Sequence, residues 1–185
     1  MVFPYDIPWV TPNALTDDEC DYIRELALPN LEWSALSPSG HINHNVRMSE
    51  TTWLNIKTDP NLEKIFRRFI SEDDWDKCEN LQVLRYKLGG FYRPHQDATE
   101  KHTNRRKKTR IFCLNNEYEG GETVFPTMDR KYKLNKGDML KFSCLDKDGN
   151  LDSYYLHGGE RVKSGTKWVC NLWTRQSVYD PNQID

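Results

Sequence analysis

The sequence predicts a mainly β domain with supporting N-terminal helices, an α+β chain built round a jelly roll. Three observations carry this reading: helical periodicity confined to the first 80 residues, short β-rich runs from Leu81 onward, and turn residues recurring between those runs. The chain has 185 residues and shows no internal repeat, low-complexity tract or Pro/Gly-rich linker. It is therefore read as one domain over 1–185, with a helical support region over 1–80 and a jelly-roll core over 81–176.

The elements follow in order. Thr16-Asp17-Asp18-Glu19 has the capping-box pattern, in which the Thr hydroxyl and the Glu carboxylate satisfy each other's free backbone amides. Cys20, Ile23, Leu26 and Ala27 follow at helical spacing, so a helix is predicted over about 17–28, ending near Pro29. Asp59-Pro60 opens a second helix, with proline at the first helical position and Leu62, Ile65, Phe66, Phe69 and Ile70 on one face. Strands are predicted at Leu81 to Leu88, Thr109 to Asn115, Asp138 to Ser143, Ser153 to His157 and Thr166 to Thr174. Turns come from Gly89-Gly90, Gly120-Gly121, Asn135-Lys136-Gly137, Asp148-Gly149-Asn150 and Gly158-Gly159. Many short strands of this kind make a sandwich or barrel-like jelly roll, which can hold a small ligand between its sheets.

Composition narrows the function. Hydrophobic residues make up 37%, charged residues 29% and aromatic residues 12%, the balance of a globular protein. No apolar run approaches the roughly 20 residues that cross a bilayer, and Met1 to Val10 lacks the features of a leader, so a cytoplasmic location is expected, with no membrane partner. The five cysteines are odd in number and far apart, with no Cys-x-x-Cys pair, which fits reduced thiols. A net charge of −2 gives no overall field to attract nucleic acid. One stretch departs from that balance: Lys101, Arg105, Arg106, Lys107, Lys108 and Arg110 lie together without an acid among them.

The sharpest chemical signal is His95-Gln96-Asp97. Residues two apart on an extended strand project to one face and can grip one ion, although the same tripeptide also occurs in ordinary solvated turns. Iron(II) in oxygen-activating enzymes takes two His and one carboxylate on one face of an octahedron, leaving positions open for cosubstrate and oxygen. A second, distant His is required. Among the five histidines, His41 and His44 precede the β region and His102 lies in the basic stretch, which leaves His157 at the end of a predicted strand.

Lys167 sits in an apolar strand with Trp168, Val169, Cys170, Leu172 and Trp173. A buried ammonium there is costly unless an anion neutralises it, and the far carboxylate of a dicarboxylate cosubstrate would do so. The other reading puts Lys167 on the solvent face of an edge strand.

Taken together, these residues resemble the prolyl 4-hydroxylase branch of the 2-oxoglutarate and iron(II)-dependent dioxygenases. Gln82-Val83-Leu84-Arg85-Tyr86 with Gly89, Tyr92, Pro94, His95 and Asp97 is similar to the family's approach to its first two ligands. Gly120-Gly121-Glu122-Thr123 with Phe125-Pro126, and Gly137 to Phe142, resemble the segments that follow. His157, Gly158, Val162, Gly165, Lys167, Trp168, Asn171 and Trp173 match the closing segment, and Arg47-Met48-Ser49 resembles an N-terminal R-x-S element. At Gly90, Ala98, Cys113 and Arg161 the chain departs from the family pattern, none of them a ligand position.

The resemblance implies a double-stranded β-helix, cupin-like core, with His95, Asp97 and His157 as iron ligands. It implies that Lys167 binds the far carboxylate of 2-oxoglutarate, that Tyr86 and Thr123 donate hydroxyl hydrogen bonds to it, and that Trp173 lines its pocket. Arg106 matches an arginine that contacts the peptide substrate. The implied cofactors are Fe(II), 2-oxoglutarate, O2 and ascorbate as reductant. The implied activity is conversion of peptidyl proline to 4-hydroxyproline with release of succinate and CO2, on a proline-containing peptide or protein. Hydroxylation of free proline or another small molecule is a further reading. A nucleic-acid demethylase of the same superfamily would carry arginine where Lys167 stands, and a catalytically silent jelly-roll module would tend to lose ligands that are all present here.

Overall fold

A computed structural model describes residues 5–36 and 40–181. The larger sheet has seven strands in the order β1 (Trp9–Thr11), β11 (Met139–Ser143), β7 (Arg106–Cys113), β14 (Lys167–Arg175), β5 (Leu81–Tyr86), β4 (Glu50–Leu54) and β2 (Glu32–Trp33). The smaller sheet has five, in the order β10 (Arg130–Tyr132), β9 (Thr123–Phe125), β12 (His157–Gly159), β6 (Phe91–His95) and β3 (Arg47–Met48). A short ribbon pairs β13 (Val162–Gly165) with β8 (Tyr118–Gly120), and every pairing is antiparallel. Two facing antiparallel sheets with non-sequential strand order are the predicted jelly roll.

The helices back the larger sheet. Helix α1 (Asp17–Ala27) begins as predicted: Thr16 accepts from the Glu19 amide at 3.2 Å while Glu19 accepts from the Thr16 amide at 3.0 Å. Helix α2 (Pro60–Phe66) is capped by Asp59, which accepts from two backbone amides, and a single turn, α3 (Glu72–Trp75), follows. Ile23, Leu62 and Phe66 from the helices pack with Val83, Phe112, Cys170 and Leu172 of the sheet. Fully burying an apolar side chain of this kind contributes about 1.5–3 kcal/mol.

Strand β14 shows how the sheet divides its labour. Trp168, Cys170 and Leu172 face the helices, while Lys167, Val169, Asn171, Trp173 and Arg175 line a cavity on the other side. This is the period-two alternation of a strand buried on both faces.

Three sequence expectations are corrected. The stretch before Leu81 is not only helical, since it supplies β1, β2, β3 and β4 to the two sheets. The basic stretch, in which the sequence places no strand before Thr109, is strand from Arg106, because Arg106 pairs with Arg175 of β14. Ser153 to Tyr155 is a 3-10 turn, and His157 opens strand β12 where the sequence placed it at a strand's end.

Candidate active site

Antiparallel pairing creates the centre of the site. His157 on β12 is the direct Cα partner of His95 on β6, and their ring centroids lie 4.5 Å apart. Asp97 lies just past β6 in a bend, where the sequence had put it on the strand, and its carboxylate turns back towards both rings. Asp97 Oδ1 is 3.5 Å from His95 Nε2, and Asp97 Oδ2 is 3.6 Å from His157 Nε2. One ligand atom from each of the three residues lies within 4.8 Å of the others, the only such metal-capable group among the described residues.

The tautomers are set by the backbone. His95 Nδ1 lies 2.9 Å from the Arg93 carbonyl and His157 Nδ1 lies 3.0 Å from the Tyr155 carbonyl. A carbonyl only accepts, so each Nδ1 carries the proton and each Nε2 offers its lone pair. Burial lowers the His157 pKa to about 4, outweighing the attraction of Asp97, so this imidazole is neutral and ready to ligate. Burial by itself would raise the Asp97 pKa, but the nearby Arg106 cation and the hydrogen bonds donated by Thr109 and Trp173 override it and hold the carboxyl well below its usual range. Two imidazoles that turn Nε2 inward and one ionised carboxylate, with an open side, are the donor set of a mononuclear iron(II) oxygenase centre, so the residues fit that ion.

Outer contacts hold the carboxylate. Thr109 Oγ1 donates to Asp97 Oδ2 at 2.5 Å and Trp173 Nε1 donates to the same oxygen at 2.9 Å. Trp173, expected to line the cosubstrate pocket, thus lines the cavity and also holds the Asp97 carboxylate. Thr109 had no role in the sequence reading, and the alternation that turns Trp173 inward finds it, because the two are Cα partners. Tyr92 stacks on His95 with ring centroids 3.6 Å apart.

The cavity between the sheets has a volume of about 810 Å³ and is lined by all the predicted site residues: Tyr86, His95, Asp97, Arg106, Thr123, His157, Lys167 and Trp173. Lys167 is 7% exposed and points into this cavity, which excludes the solvent-face alternative. Its ammonium donates to the Gly121 carbonyl at 2.6 Å, and among the described residues no carboxylate forms an ion pair with it. Burial lowers its pKa to about 8. The carbonyl is presented by a turn in which Gly120 and Gly121 both have positive φ, and a Cβ on Gly120 would lie 2.5 Å from the Arg161 carbonyl. Tyr86 is the Cα partner of Lys167, and Thr123 enters from the opposite sheet beside Gly159.

Arg106 also borders the cavity, but its guanidinium is occupied. It donates to both oxygens of Glu79, at 2.7 and 2.8 Å, and lies over the Trp173 ring.

A jelly roll enclosing a two-histidine, one-carboxylate centre and a buried lysine defines the class as a non-haem iron oxygenase that binds a diacid. Comparison with known proteins agrees: residues 81–175 match the 2OG-Fe(II) oxygenase superfamily. A protein of Acanthamoeba polyphaga mimivirus that carries a prolyl 4-hydroxylase name is 33% identical over 95% of this chain and 77% of its own length. Prolyl 4-hydroxylase 1 of Arabidopsis thaliana is 32% identical, covering 91% of this chain and 69% of its own. The 2OG complex of the viral collagen prolyl hydroxylase from Paramecium Bursaria Chlorella virus-1 superposes with a TM-score of 0.74 at 27% identity, covering 93% of this chain and 97% of that one. The chain belongs to the prolyl 4-hydroxylase family of the 2OG-Fe(II) oxygenases.

Proposed function

We propose that this protein hydroxylates C4 of prolyl residues in a peptide, consuming 2-oxoglutarate and O2 and releasing succinate and CO2, with ascorbate keeping the metal reduced. The observation that carries the reading is Lys167, a buried cation that pairs with no acid among the described residues, in the same cavity as three converging side chains able to hold a metal. When bound, iron(II) with 2-oxoglutarate and O2 supplies the oxidation that inserts oxygen into a C–H bond.

The chain's own residues do the rest. His95, Asp97 and His157 would hold the ion through the atoms that already converge. Lys167 would take the far carboxylate of 2-oxoglutarate in a charge-assisted pair, with the Tyr86 and Thr123 hydroxyls donating to the same cosubstrate. The walls of the cavity keep water from the reacting carbon and hold it near the metal.

The cavity is far larger than a five-carbon diacid and one amino acid would fill. It continues past Arg47, Tyr92 and Arg106 to Trp33 and Trp53, which are exposed at its rim. An extended proline-rich segment suits an aromatic-lined groove of this kind, so a peptide is favoured over free proline. The names of the relatives agree with that choice. Five buried free cysteines suit a reducing compartment, and no helix among the described residues is long and apolar enough to cross a membrane; we place the protein in the cytoplasm.

The test supplies Fe(II), ascorbate, 2-oxoglutarate and proline-rich peptides, then measures succinate and the peptide mass. A gain of one oxygen atom on proline is the expected result, and Asp97→Ala or His157→Ala abolishes it. Oxygen gained only by free proline would move the assignment to a small-molecule hydroxylase. No succinate under any condition would overturn the enzyme reading.

A further inference from the structure

Glu79 lies two residues before β5, is almost fully buried, and holds two guanidinium groups on one carboxylate. Arg106 donates to it through Nε at 2.7 Å and Nη2 at 2.8 Å, and Arg175 donates through Nε at 2.8 Å. Arg175 is held in turn by the Asn104 carbonyl. The Arg106 guanidinium faces the indole: its central carbon lies 3.6 Å from the centroid of the Trp173 ring. A cation over the face of an indole draws on its π electrons and strengthens the ring N–H as a donor. That N–H donates to Asp97 Oδ2. The Glu79 amide also donates to the Trp173 carbonyl at 3.0 Å, so one residue fixes both the cation and the strand beneath it.

We propose that Glu79 and Arg106 are positioning residues for the metal centre, acting on Asp97 through the indole N–H of Trp173 and thereby setting metal affinity. The proposal rests on the metal-site reading above and departs from a role for Arg106 confined to touching peptide. A guanidinium with two donors on Glu79 and its face on an indole is held rigidly, as an outer support of a metal ligand must be.

The experiment is a double-mutant cycle read by calorimetric titration of Mn(II) into the metal-free full-length protein, with Arg106→Met and Trp173→Phe alone and combined. Titration of the wild type tests the site itself, and absence of binding there overturns both the site and the relay. With wild-type binding established, Arg106→Met is expected to weaken Mn(II) binding about tenfold, in the range that outer contacts of metal ligands command. In the Trp173→Phe background, where the N–H is gone, the same change is expected to cost less than about threefold. Glu79→Gln is expected to follow Arg106→Met in direction. An equal penalty in both backgrounds would show that Arg106 does not act through the indole. An unchanged Mn(II) affinity with only the peptide KM raised would confine Arg106 to substrate contact and overturn the proposal. Should Arg106→Met fail to fold, Arg106→Lys keeps the charge for Glu79 but loses the flat stacking, and the same cycle is run with it.

Discussion

Lys167 gives the most quantitative prediction. Burial takes its ammonium from an ordinary pKa of 10.5 to about 8. Keeping it protonated in the ligand-free protein therefore costs about 3 kcal/mol, since each tenfold change in a proton's dissociation constant is worth about 1.4 kcal/mol. Between those two values the unfolded chain carries a proton that the folded protein has lost, so this group adds stability as pH rises from 8 towards 10.5. Binding of 2-oxoglutarate runs the other way. The far carboxylate wants the charged lysine, so above pH 8 the diacid must bind together with a proton, and its affinity at pH 9 should be about one tenth of that at pH 7. Calorimetry on the Mn(II)-loaded protein, in buffers of different ionisation enthalpy, measures both the affinity and the proton uptake. Lys167→Met should weaken 2-oxoglutarate by about ten- to a hundredfold, the worth of a hydrogen bond to a charged group, and abolish the pH slope. The same variant should melt several degrees higher without ligand at pH 7, at about 2–4 °C per kcal/mol for a chain of this size. An affinity that stays flat from pH 7 to pH 9 with the lysine intact, or a Met variant that keeps the slope, would refute the assignment.

Three further outcomes follow from contacts around the site. Thr109→Val removes one of the two donors to Asp97 Oδ2 and should weaken Mn(II) binding about ten- to a hundredfold in the same titration, with little change in melting temperature. Gly158→Ala places a Cβ 2.8 Å from the Tyr92 carbonyl, forcing β12 away from β6. His157 should then separate from His95, with metal binding lost while circular dichroism stays near wild type. Thr16→Ala removes half of the capping box of α1 and should cost about 1 kcal/mol in urea unfolding, with turnover per folded molecule unchanged.

Much of this was legible in the sequence because the signals were local or chemically unusual. The capping box at Thr16 and Glu19, the proline that opens α2, and a lysine set in an apolar strand each announce their environment within a few residues. His157 was found by requiring a third ligand, which chemistry demands and spacing does not. What stayed hidden depends on distant pairing. Glu79 carries no pattern of its own, so nothing near Arg106 announced that the arginine would be neutralised and drawn into a strand. The strands before Leu81 were equally silent: Glu50–Leu54 takes its conformation from hydrogen bonding to Leu81–Tyr86, a partner that no local window contains. The two jobs of Trp173 also escaped, since an indole in a strand reads as packing until an acceptor is seen beside its N–H.

The alternation along β14 has a consequence for how the protein can diversify. Side chains at odd positions meet the chamber and Trp168, Cys170 and Leu172 meet the helices, so a change at the half-buried Asn171 reshapes what enters while the helix-facing side chains keep the molecule folded. A library confined to Asn171 and its cavity-lining neighbour Gln82 would explore new substrates while Lys167 and Trp173 keep the site.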